Sequence, residues 1–376
     1  MKKILIVCGQ DFISHQNDGG KKCCYRNYKM LKHAYGPENV YVCLLTNESG
    51  EYPEGNVKVL PQYKNIIQKA ANVLQGNFFY GTATEKLLLE YIKQKKIDIV
   101  WFERSLFGNT IKKLALKYDV ICQVFLHNIE ADYFFNKAIH QNKLLLLVWM
   151  AVKRSEKKTF KYVNDIFCLT KRDQDCLQLK YRRQANAILA MTFEDIYCAS
   201  RQRITSAYDT GKEKTLLFVG SLFPPNYEGI KWFIDNVMNE LQEFTLVVVG
   251  KDFEKKRNVL ERKNVIVVGT VEDLAFYYLS NSVMVLPIQY GDGQKIKTAE
   301  AMMYGKIMFA TREALEGYDV EYVNGIHECN TAVEFQENIR KNYPTDGEFF
   351  SQNVRNCFLE KYDSEKLFHR YEEIKR

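Results

Sequence analysis

The residues best suited to chemistry lie in one stretch of the second half of the chain. A strand-like run there ends in a proline, and the loop Gly291-Asp292-Gly293 then opens a helix-like segment. Glycines let the backbone approach a ligand closely, and a helix N-terminus offers free N–H groups and positive dipole to a phosphate. Lys295 and Lys297 add counter-charge, and Glu300 shares a helical face with Lys297, where it could accept hydrogen bonds from two ribose hydroxyls. The pattern predicts a nucleotide phosphate site, and the alternative is an ordinary solvated helix face.

Polar side chains also follow two strand-like runs in the first half of the chain. His127-Asn128 and Glu130 come after one run, and Glu103-Arg104-Ser105 comes after another. In open α/β sheets the ligand crevice lies at the C-terminal ends of the strands. Both groups could therefore reach a ligand, and we assign Glu103, Arg104 and Ser105 to acceptor binding. The alternatives are a structural histidine and an internal ion pair.

Strand and helix signals alternate along the whole chain and predict the scaffold for these residues. Short runs rich in β-branched residues occupy 3–8, 40–45, 97–102, 120–126, 166–169, 215–219, 245–249, 265–268, 283–286 and 307–310. Segments of helical periodicity such as 83–95 and 230–241 separate them. This alternation is typical of βαβ units and parallel sheets. Because it starts twice, at Lys3 and at Thr215, we predict an α/β protein with two doubly wound, Rossmann-like domains.

The motifs of the second half resemble those of the GT-B glycosyltransferases, and specifically of the retaining glycosyltransferase family 4. The resemblance rests on Phe218–Leu222, Pro225-Asn226, Trp232-Phe233, Val247–Gly250, Val265–Gly269, Asp273-Leu274 and Thr311 to Glu316-Gly317. The family carries a Glu-x7-Glu element, which here reads Asp292-x7-Glu300. The similarity is strong over about 215–330 and weak in the first half.

This resemblance implies two Rossmann-like domains that face each other across a cleft. It places an acceptor-binding domain at 1–200, a linker at 201–214 and a nucleotide-sugar domain at 215–345. A C-terminal helix at 346–376 would pack back toward the first domain. The implied reaction moves a sugar from a nucleotide-sugar donor, for which we predict UDP, to a hydroxyl of a growing glycan or lipid-linked glycan. The anomeric configuration is retained, and no metal or other cofactor is expected.

The resemblance also implies roles for individual residues. We predict that His127, Asp292 and Lys297 act in catalysis. The predicted donor-binding residues are Gly19, Gly20, Gly220, Ser221, Gly291, Gly293, Gln294, Lys295, Ile296 and Glu300. A flexible loop after the first strand is the alternative for the Gly19-Gly20 pair.

One departure from the family pattern affects the donor diphosphate. Many members place an arginine after the first donor-domain glycine and a lysine several residues later, whereas Ser221 stands first here and 224–229 contains no lysine. Without paired cations a leaving diphosphate is poorly stabilised, so Lys297 is the predicted substitute. The altered clamp keeps a second reading open, a non-catalytic glycosyltransferase-like subunit. A sugar-nucleotide epimerase on the same scaffold is a third.

Charge is divided unevenly between the two halves. Residues 1–210 hold 32 Lys and Arg against 20 Asp and Glu, which gives +12, and the remainder of the chain carries −5. The stretch 142–161 combines an apolar stripe with lysines, so it could lie on an anionic membrane or be a core helix with a basic side. The basic half therefore faces an anionic acceptor or a membrane, and nucleic-acid binding is not expected because stacking aromatics do not accompany the charge.

The remaining features concern the compartment. Ten cysteines occur without a C-x-x-C pair, so we interpret most of them as small buried residues in a reducing environment. The apolar run after Met1 is too short for a signal peptide. The longest uncharged apolar run, 144–152, is far below the roughly 20 residues of a membrane span. A cytoplasmic protein is therefore expected, with a peripheral position at the inner face of the membrane as the open alternative.

Overall fold

The computed structural model describes residues 2–14, 19–47, 50, 52, 55–63, 66–74, 76–140, 145–209, 211, 214–291 and 294–375. The chain forms two compact units. Unit 1 comprises Met1–Met191 together with Leu367–Arg376, and unit 2 comprises Thr192–Lys366. Each unit is built around one parallel sheet.

The sheet of unit 1 has seven strands in the order β3-β2-β1-β4-β5-β6-β7, and every pair is parallel. The strands are β1 Ile4–Cys8, β2 Val40–Leu45, β3 Val57–Leu60, β4 Ile99–Glu103, β5 Ile121–Leu126, β6 Asp165–Cys168 and β7 Ala187–Ile188. Every residue of β1 and β4 is buried, as expected of strands that helices cover on both faces. The order reverses between β1 and β4, and such a switch point is where open α/β sheets bind ligands.

The sheet of unit 2 has six parallel strands in the order β10-β9-β8-β11-β12-β13. The strands are β8 Thr215–Val219, β9 Thr245–Val249, β10 Val265–Gly269, β11 Val283–Leu286, β12 Met308–Ala310 and β13 Ile326–Glu328. Residues of β8, β9 and β11 are buried throughout. The switch point of this sheet lies between β8 and β11.

The helices connect the strands in the right order for βαβ units. Unit 1 contains α1 Gly19–Tyr35, α2 Ile66–Leu74, α3 Thr82–Lys95, α4 Gly108–Lys117, α5 Glu130–His140, α6 Leu145–Tyr162 and α7 Lys171–Tyr181. Unit 2 contains α8 Tyr197–Arg203, α9 Pro224–Phe233, α10 Arg257–Leu260, α11 Ala275–Tyr278, α12 Ile296–Met303, α13 Arg312–Leu315, α14 Ala332–Asn342 and α15 Gln352–Lys361, and α16 Ser364–Ile374 follows.

An aromatic cluster in the core of unit 1 includes a residue from the end of the chain. Trp101 in β4 is fully buried and stacks on Phe125 and Phe167, with ring centroids 6.0 and 5.1 Å away. The ring of Tyr371 in α16 meets Trp101 edge-on at 6.0 Å. Aromatic pairs in this range contribute about 0.5–1.5 kcal/mol beyond the area they bury. The segment 367–376 is therefore part of the core of unit 1.

Three boundaries differ from those predicted. The units divide after Met191, whereas the first domain was expected to end at 200. The expected linker contains the end of helix α8. Because this short helix consists mainly of basic and polar residues, its sequence shows no apolar period. The single helix expected over 346–376 is two helices, since α15 ends at Lys361 and α16 begins at Ser364.

Helix α6 covers most of the stretch 142–161, for which a membrane contact was one of two readings. The helix begins at Leu145. Residues 142–144 of that stretch lie outside the described residues. Among the helices that the structure describes, none is both long and apolar enough to cross a membrane.

Candidate functional site

The switch point of unit 2 brings together two of the predicted donor-binding segments. Gly220 and Ser221 follow β8 directly, and the loop through Gly291 follows β11, its neighbour in the sheet. Helix α12 begins after this loop at Ile296, so its N-terminal N–H groups lie at the ligand-binding edge. Asp292 and Gly293 lie outside the described residues. The other loop residues occupy the edge where a phosphate would bind.

Lys297 connects helix α12 to the other side of this switch point. Its Nζ donates a hydrogen bond to Asn226 Oδ1, and Asn226 Nδ2 donates in turn to the carbonyl of Ser221 at 2.8 Å. The ammonium also lies 5.9 Å from the centre of the Phe218 ring. Burial, with repulsion from Lys295, lowers the pKa of Lys297 to about 8, and the charge of Glu300 opposes this change. Lys297 is thus a buried lysine that Asn226 links to the Gly220-Ser221 loop.

Lys295 and Gln294 have structural partners. Lys295 Nζ lies 2.6 Å from Glu313 Oε1, and its carbonyl accepts from Tyr318 Oη at 2.8 Å. Gln294 Nε2 donates to the carbonyl of Gly317 at 2.6 Å. These contacts fix the entry into α12. Lys295 offers a partly neutralised charge, because its ammonium would be shared between Glu313 and any phosphate.

Glu300 lies in the second turn of α12, as predicted, with a partner that the sequence did not indicate. Tyr278 Oη donates to Glu300 Oε2 at 3.0 Å. The Tyr278 ring is buried and stacks on Tyr304, with centroids 4.9 Å apart and planes within 6°. The Tyr278 hydrogen bond therefore helps to hold the carboxylate in place.

Close backbone contacts explain two glycines around this switch point. Gly250, after β9, has φ +138°, and a Cβ there would overlap the carbonyl oxygen of Gly220. A Cβ at Gly229 in α9 would overlap the carbonyl oxygen of Pro287 in the loop after β11. Glycine is needed at both positions because the backbones approach directly. The spacing of the loops that carry the candidate site depends on them.

Unit 2 also has a cavity of about 810 Å³ away from this edge. Ser280 and Lys306, which line it, precede β11 and β12, so the cavity lies toward the N-terminal ends of these strands. Lys306 is buried and donates to the carbonyl of Ser280 at 2.8 Å and to Ser282 Oγ at 3.1 Å. Burial lowers its pKa to about 7. The large cavity and the predicted phosphate site are different places.

In unit 1 the structure pairs the predicted catalytic histidine with a buried carboxylate. His127 follows β5, and its Nε2 lies 2.8 Å from Oε2 of Glu103, the last residue of β4. Glu103 Oε1 accepts from Trp101 Nε1 at 2.8 Å and from Asn27 Nδ2 at 3.0 Å. Burial would raise the pKa of Glu103, but hydrogen bonding and the charge of His127 outweigh it and lower the pKa below its usual value. The carboxylate therefore stays ionised and orients the imidazole.

The acceptor-binding role predicted for Glu103, Arg104 and Ser105 is not supported by their positions. Glu103 and Ser105 are fully buried, and Arg104 forms an ion pair with Glu130 at 3.0 Å. Ser105 Oγ donates to the buried carboxylate of Glu156 at 2.7 Å. The internal ion pair was the correct alternative, because the turn after β4 directs these side chains into the protein, with Arg104 at φ +81°.

Glu156 belongs to the same buried network. Its carboxylate accepts from the backbone N–H groups of Glu130 and Ala131, at 2.9 and 3.2 Å, and so satisfies the start of α5. Tyr181 Oη donates to it at 2.6 Å. Burial raises the pKa of Glu156 to about 7, and the charge of Glu130 adds to this effect. The group supports the loop that carries His127.

The predicted glycine pair opens helix α1. Gly19 and Gly20 are the first two residues of the helix, and residues 15–18 before them lie outside the described residues. Among the described residues, no atom lies within 4 Å of a Cβ built on Gly19. Neither packing nor φ explains this glycine, so its predicted ligand contact stays a prediction.

Three side chains that can bind metals, including that of His127, lie close together in unit 1. The ligand atoms of Cys24, Glu103 and His127 all lie within 4.8 Å of one another, which makes them the group within the described ranges that could hold a metal ion. The Cys24 thiol lies 3.7 Å from His127 Nε2 and 3.9 Å from the thiol of Cys8. No sequence spacing indicated this group, because three separate elements contribute to it.

With the geometry established, comparison with known structures defines the fold. The fold is similar to sucrose-phosphate synthase from Thermosynechococcus elongatus, with a TM-score of 0.68, 15% identity and coverage of 100% of this chain and 98% of that one. It is also similar to HepE from Anabaena, solved with UDP and glucose, with a TM-score of 0.65, 12% identity and 99% coverage of both chains. The lipopolysaccharide galactosyltransferase WaaB gives a TM-score of 0.64 at 13% identity, covering 100% of this chain and 99% of that one. The fold is GT-B.

Sequence comparison finds a family match within the second unit. Residues 213–342 match the family model described as Glycosyl transferases group 1. A Klebsiella pneumoniae protein, described as an uncharacterized 44.6 kDa protein in the cps region, is 26% identical over 170 residues. That match covers 41% of this chain and 44% of the relative. The resemblance to GT-B glycosyltransferases is confirmed.

Several residues around the two edges could not be found from the sequence. Asn226 was noted only as part of a family motif. Its contact with Lys297 joins helix α9 to helix α12, and these helices follow neighbouring strands of the sheet. Tyr278 and Asn27 lie in helices without a local signal that assigns them to Glu300 and Glu103. Such partners become visible only when the strand order places distant elements side by side.

Proposed function

We propose that the chain is a glycosyltransferase that transfers a sugar from a UDP-sugar to an acceptor hydroxyl on a growing glycan or lipid-linked glycan, with retention of anomeric configuration. The single observation that carries the proposal is the arrangement on α12. This helix begins at the switch point of unit 2, presents Lys297 beside the Gly220-Ser221 loop, and carries Glu300 in its second turn. These are the groups that a diphosphate and a ribose require.

The donor would bind with its diphosphate at the start of α12. N–H groups of the helix terminus and the Lys297 ammonium stabilise the charge that develops on the leaving diphosphate. Lys297 takes the place of the missing arginine and lysine clamp, since Asn226 holds its Nζ close to Ser221. Glu300, fixed by Tyr278, accepts hydrogen bonds from the ribose hydroxyls. This geometry favours a variation in donor binding over a loss of catalysis.

The role of His127 is assigned to the transferred sugar or the reacting centre. Its Nε2 is committed to Glu103, so Nδ1 is the ring nitrogen available for a further hydrogen bond. Asn128 Oδ1 is buried without a hydrogen-bond partner among the described residues, and an unsatisfied oxygen of this kind calls for a ligand or a water molecule. The two adjacent residues therefore support a substrate contact in unit 1. Transfer needs no metal in this proposal, because the leaving diphosphate itself can accept the acceptor proton.

The reaction can be tested with the purified chain and a panel of nucleotide sugars. We expect UDP to raise the melting temperature more than other nucleotides, because a ligand that binds only the folded state stabilises it. Release of UDP from one sugar nucleotide, not reduced by EDTA, would support a transferase, and NMR of the first product would give its anomeric configuration. Formation of an isomeric UDP-sugar would identify an epimerase instead. Binding without either reaction would favour a non-catalytic subunit, and an inverted product would contradict retention.

We further propose that unit 1 contacts an anionic membrane, where a lipid-linked acceptor would be presented. Helices α5 and α6 expose Phe135, Ile139, Leu146, Leu147 and Met150 at their surfaces. Basic residues of α6, including Lys153, Arg154, Lys157 and Lys161, lie in the turns that follow. Exposed apolar side chains next to lysines match an interface of acyl chains and anionic headgroups, where each basic residue contributes about 1 kcal/mol.

Flotation with liposomes tests the membrane contact. We expect the chain to float with vesicles that contain phosphatidylglycerol and to remain behind with neutral phosphatidylcholine vesicles. Leu147→Glu should abolish flotation, since its side chain is 54% exposed and can be replaced without disturbing the core. Leu116→Glu is a matched control, because Leu116 is 62% exposed in α4 outside this patch. Equal flotation of both variants, or no difference between the lipids, would contradict the proposal.

A further inference from the structure

We propose that Cys8, Cys24, Glu103 and His127 form a zinc-binding site at the switch point of unit 1, and that bound zinc inhibits the enzyme by occupying His127. Cys8 and Glu103 are the last residues of the adjacent strands β1 and β4. His127 follows β5, and Cys24 lies in the second turn of α1. Four elements thus direct one ligand each to the same edge of the sheet.

The distances between ligand atoms fit a tetrahedral zinc ion. With Zn–S of about 2.3 Å and Zn–N of about 2.0–2.1 Å, neighbouring ligand atoms are separated by roughly 3.5–3.8 Å. Cys24 Sγ lies 3.7 Å from His127 Nε2, and Cys8 Sγ lies 3.9 Å from Cys24 Sγ. His127 Nε2 and Glu103 Oε2 are 2.8 Å apart as hydrogen-bond partners. This pair has to open by several tenths of an ångström to admit the ion. The Cys8 thiol, which lies beside Cys24 but outside the group of three mutually close ligands, has to turn toward the ion as the fourth ligand.

The surroundings of Glu103 are those of a metal-binding carboxylate. Its Oε1 is held by Trp101 Nε1 at 2.8 Å and by Asn27 Nδ2 at 3.0 Å, while Oε2 is directed toward His127. Partners of this kind orient the ligands of metal sites, and their loss typically reduces metal affinity by about 10- to 100-fold. Oε2 also accepts from Asn27 Nδ2 at 3.2 Å, so Oε1 is the fixed oxygen and Oε2 exchanges its contacts with Asn27 and His127 for the ion.

The ligand set selects a thiophilic divalent ion. Two thiolates, one imidazole and one carboxylate suit Zn²⁺, whereas Mg²⁺ prefers oxygen ligands alone. Binding replaces the protons of the Cys8 and Cys24 thiols, which pass to the solvent, with two S–Zn bonds. Zn²⁺ also replaces the proton on His127 Nε2. In the neutral tautomer this proton moves to Nδ1, so the metal-bound ring stays neutral with its N–H on Nδ1. Zinc then occupies the imidazole that the proposed reaction requires.

Metal binding can be measured without any activity assay. Untagged, reduced chain should bind one equivalent of Zn²⁺ by mass spectrometry of the metal, and Mg²⁺ should not compete. Co²⁺ in the same site should give the visible bands of a tetrahedral ion and a thiolate-to-cobalt band with the intensity of two thiolates. No bound metal, an octahedral spectrum or a single thiolate would overturn the four-ligand site. These spectra use the unmodified chain, so they do not depend on the folding of a variant.

A pair of adjacent cysteines supplies the matched variants. Cys24→Ser should reduce zinc affinity by at least about 100-fold, more than the loss of an outer partner would. Cys23→Ser is the control, because Cys23 is equally buried but its thiol lies 3.4 Å from Arg26 Nη2 and belongs to another contact. Equal affinities of the two variants would contradict the assignment. Circular dichroism and melting temperature identify a variant that is misfolded.

The inhibitory effect rests on the proposed transferase function and is tested separately. Micromolar Zn²⁺ should inhibit UDP release, EDTA should restore it, and Cys24→Ser should be resistant. UDP binding, which involves unit 2, should remain unchanged. If the chain binds zinc but catalyses no transfer, the metal site stands and the proposed function fails. If transfer occurs and zinc does not affect it, the inhibitory role is wrong.

Discussion

Lys297 is the side chain on which the proposed donor site depends most. Burial and the neighbouring Lys295 lower its pKa to about 8, so its positive charge is maintained at a free-energy cost before any ligand arrives. A bound diphosphate would supply the missing counter-charge. The same desolvation that disfavours the free ammonium strengthens its interaction with an anion, because the local dielectric is low.

Replacement of Lys297 should therefore reduce both binding and turnover. We expect Lys297→Ala to weaken UDP binding by roughly 10- to 100-fold, the value of one charge-assisted hydrogen bond. Turnover should fall by about 10²- to 10³-fold, as when one donor to a developing oxyanion is removed. Calorimetry and UDP release measure the two effects. The exposed Lys341 in α14 provides the control Lys341→Ala, and unchanged kinetics in Lys297→Ala would refute the role.

The charge of Lys297 also predicts a pH dependence of UDP binding. The ammonium is present below a pKa of about 8 and is lost above it, so affinity should decline as the pH rises from 7 to 9.5. Lys297→Arg keeps its charge throughout this range and should remove the decline. A wild-type affinity that stays constant over this range would exclude Lys297 as a phosphate contact.

At the scale of the elements, α9 and the loop after β11 must approach closely to form the site. A Cβ on Gly229 would overlap the carbonyl oxygen of Pro287. We expect Gly229→Ala to destabilise the protein by about 1–3 kcal/mol through overpacking and to weaken UDP binding. Denaturant unfolding and calorimetry measure these effects. Gly19→Ala is the control, since described atoms leave room for a Cβ there, and equal stability of the two variants would contradict this view of the packing.

Most strands could be predicted because they are buried on both faces and appear as continuous β-branched runs. Strands β3, β7 and β13 were missed, since they are only two to four residues long and largely half-exposed. The helix expected over 230–241 begins earlier, at Pro224, and continues beyond Phe233 as a π-helical segment. Prolines occupy the first turn of this helix, a position that their fixed φ suits.

The candidate site was predictable where it is local in sequence and unpredictable where it is not. Gly291, Lys295, Lys297 and Glu300 lie within one loop and helix, so their spacing carried the information. The contacts of His127 with Glu103 and Cys24 arise from strand order and helix packing. The acceptor role predicted for Glu103 and Ser105 is not supported because both side chains are buried. The residue type alone does not reveal whether a polar side chain at the end of a strand is buried.

At the scale of the whole molecule, one buried carboxylate couples stability to pH. The pKa of Glu156 is raised from 4.5 to about 7 by burial and by the charge of Glu130, against hydrogen bonds from Tyr181 and Ser105. Because the folded-state pKa is the higher one, its contribution to stability is complete below about 4.5. It is lost as the pH rises through about 7.

Removal of this titration should flatten the stability of unit 1 between pH 4.5 and 7. A pKa shift of this size corresponds to at most about 3 kcal/mol of unfolding free energy. The wild-type protein should lose this stability as the pH rises from 4.5 to 7. Glu156→Gln cannot ionise, so its melting temperature should vary less with pH, whereas Glu90→Gln, at an exposed site of α3, should follow the wild type. Parallel curves for all three proteins would show that Glu156 is ionised throughout.

The participation of residues 367–376 in unit 1 has a consequence for the order of events during translation. The Trp101 cluster is incomplete until Tyr371 has emerged from the ribosome, after the whole of unit 2. Unit 2 is continuous in sequence and can fold first, although it is made second. The N-terminal segment would wait in a partly folded form with an open aromatic core, exposed to chaperones and proteases. Removal of the last ten residues would then reduce the yield of the protein more than its length suggests.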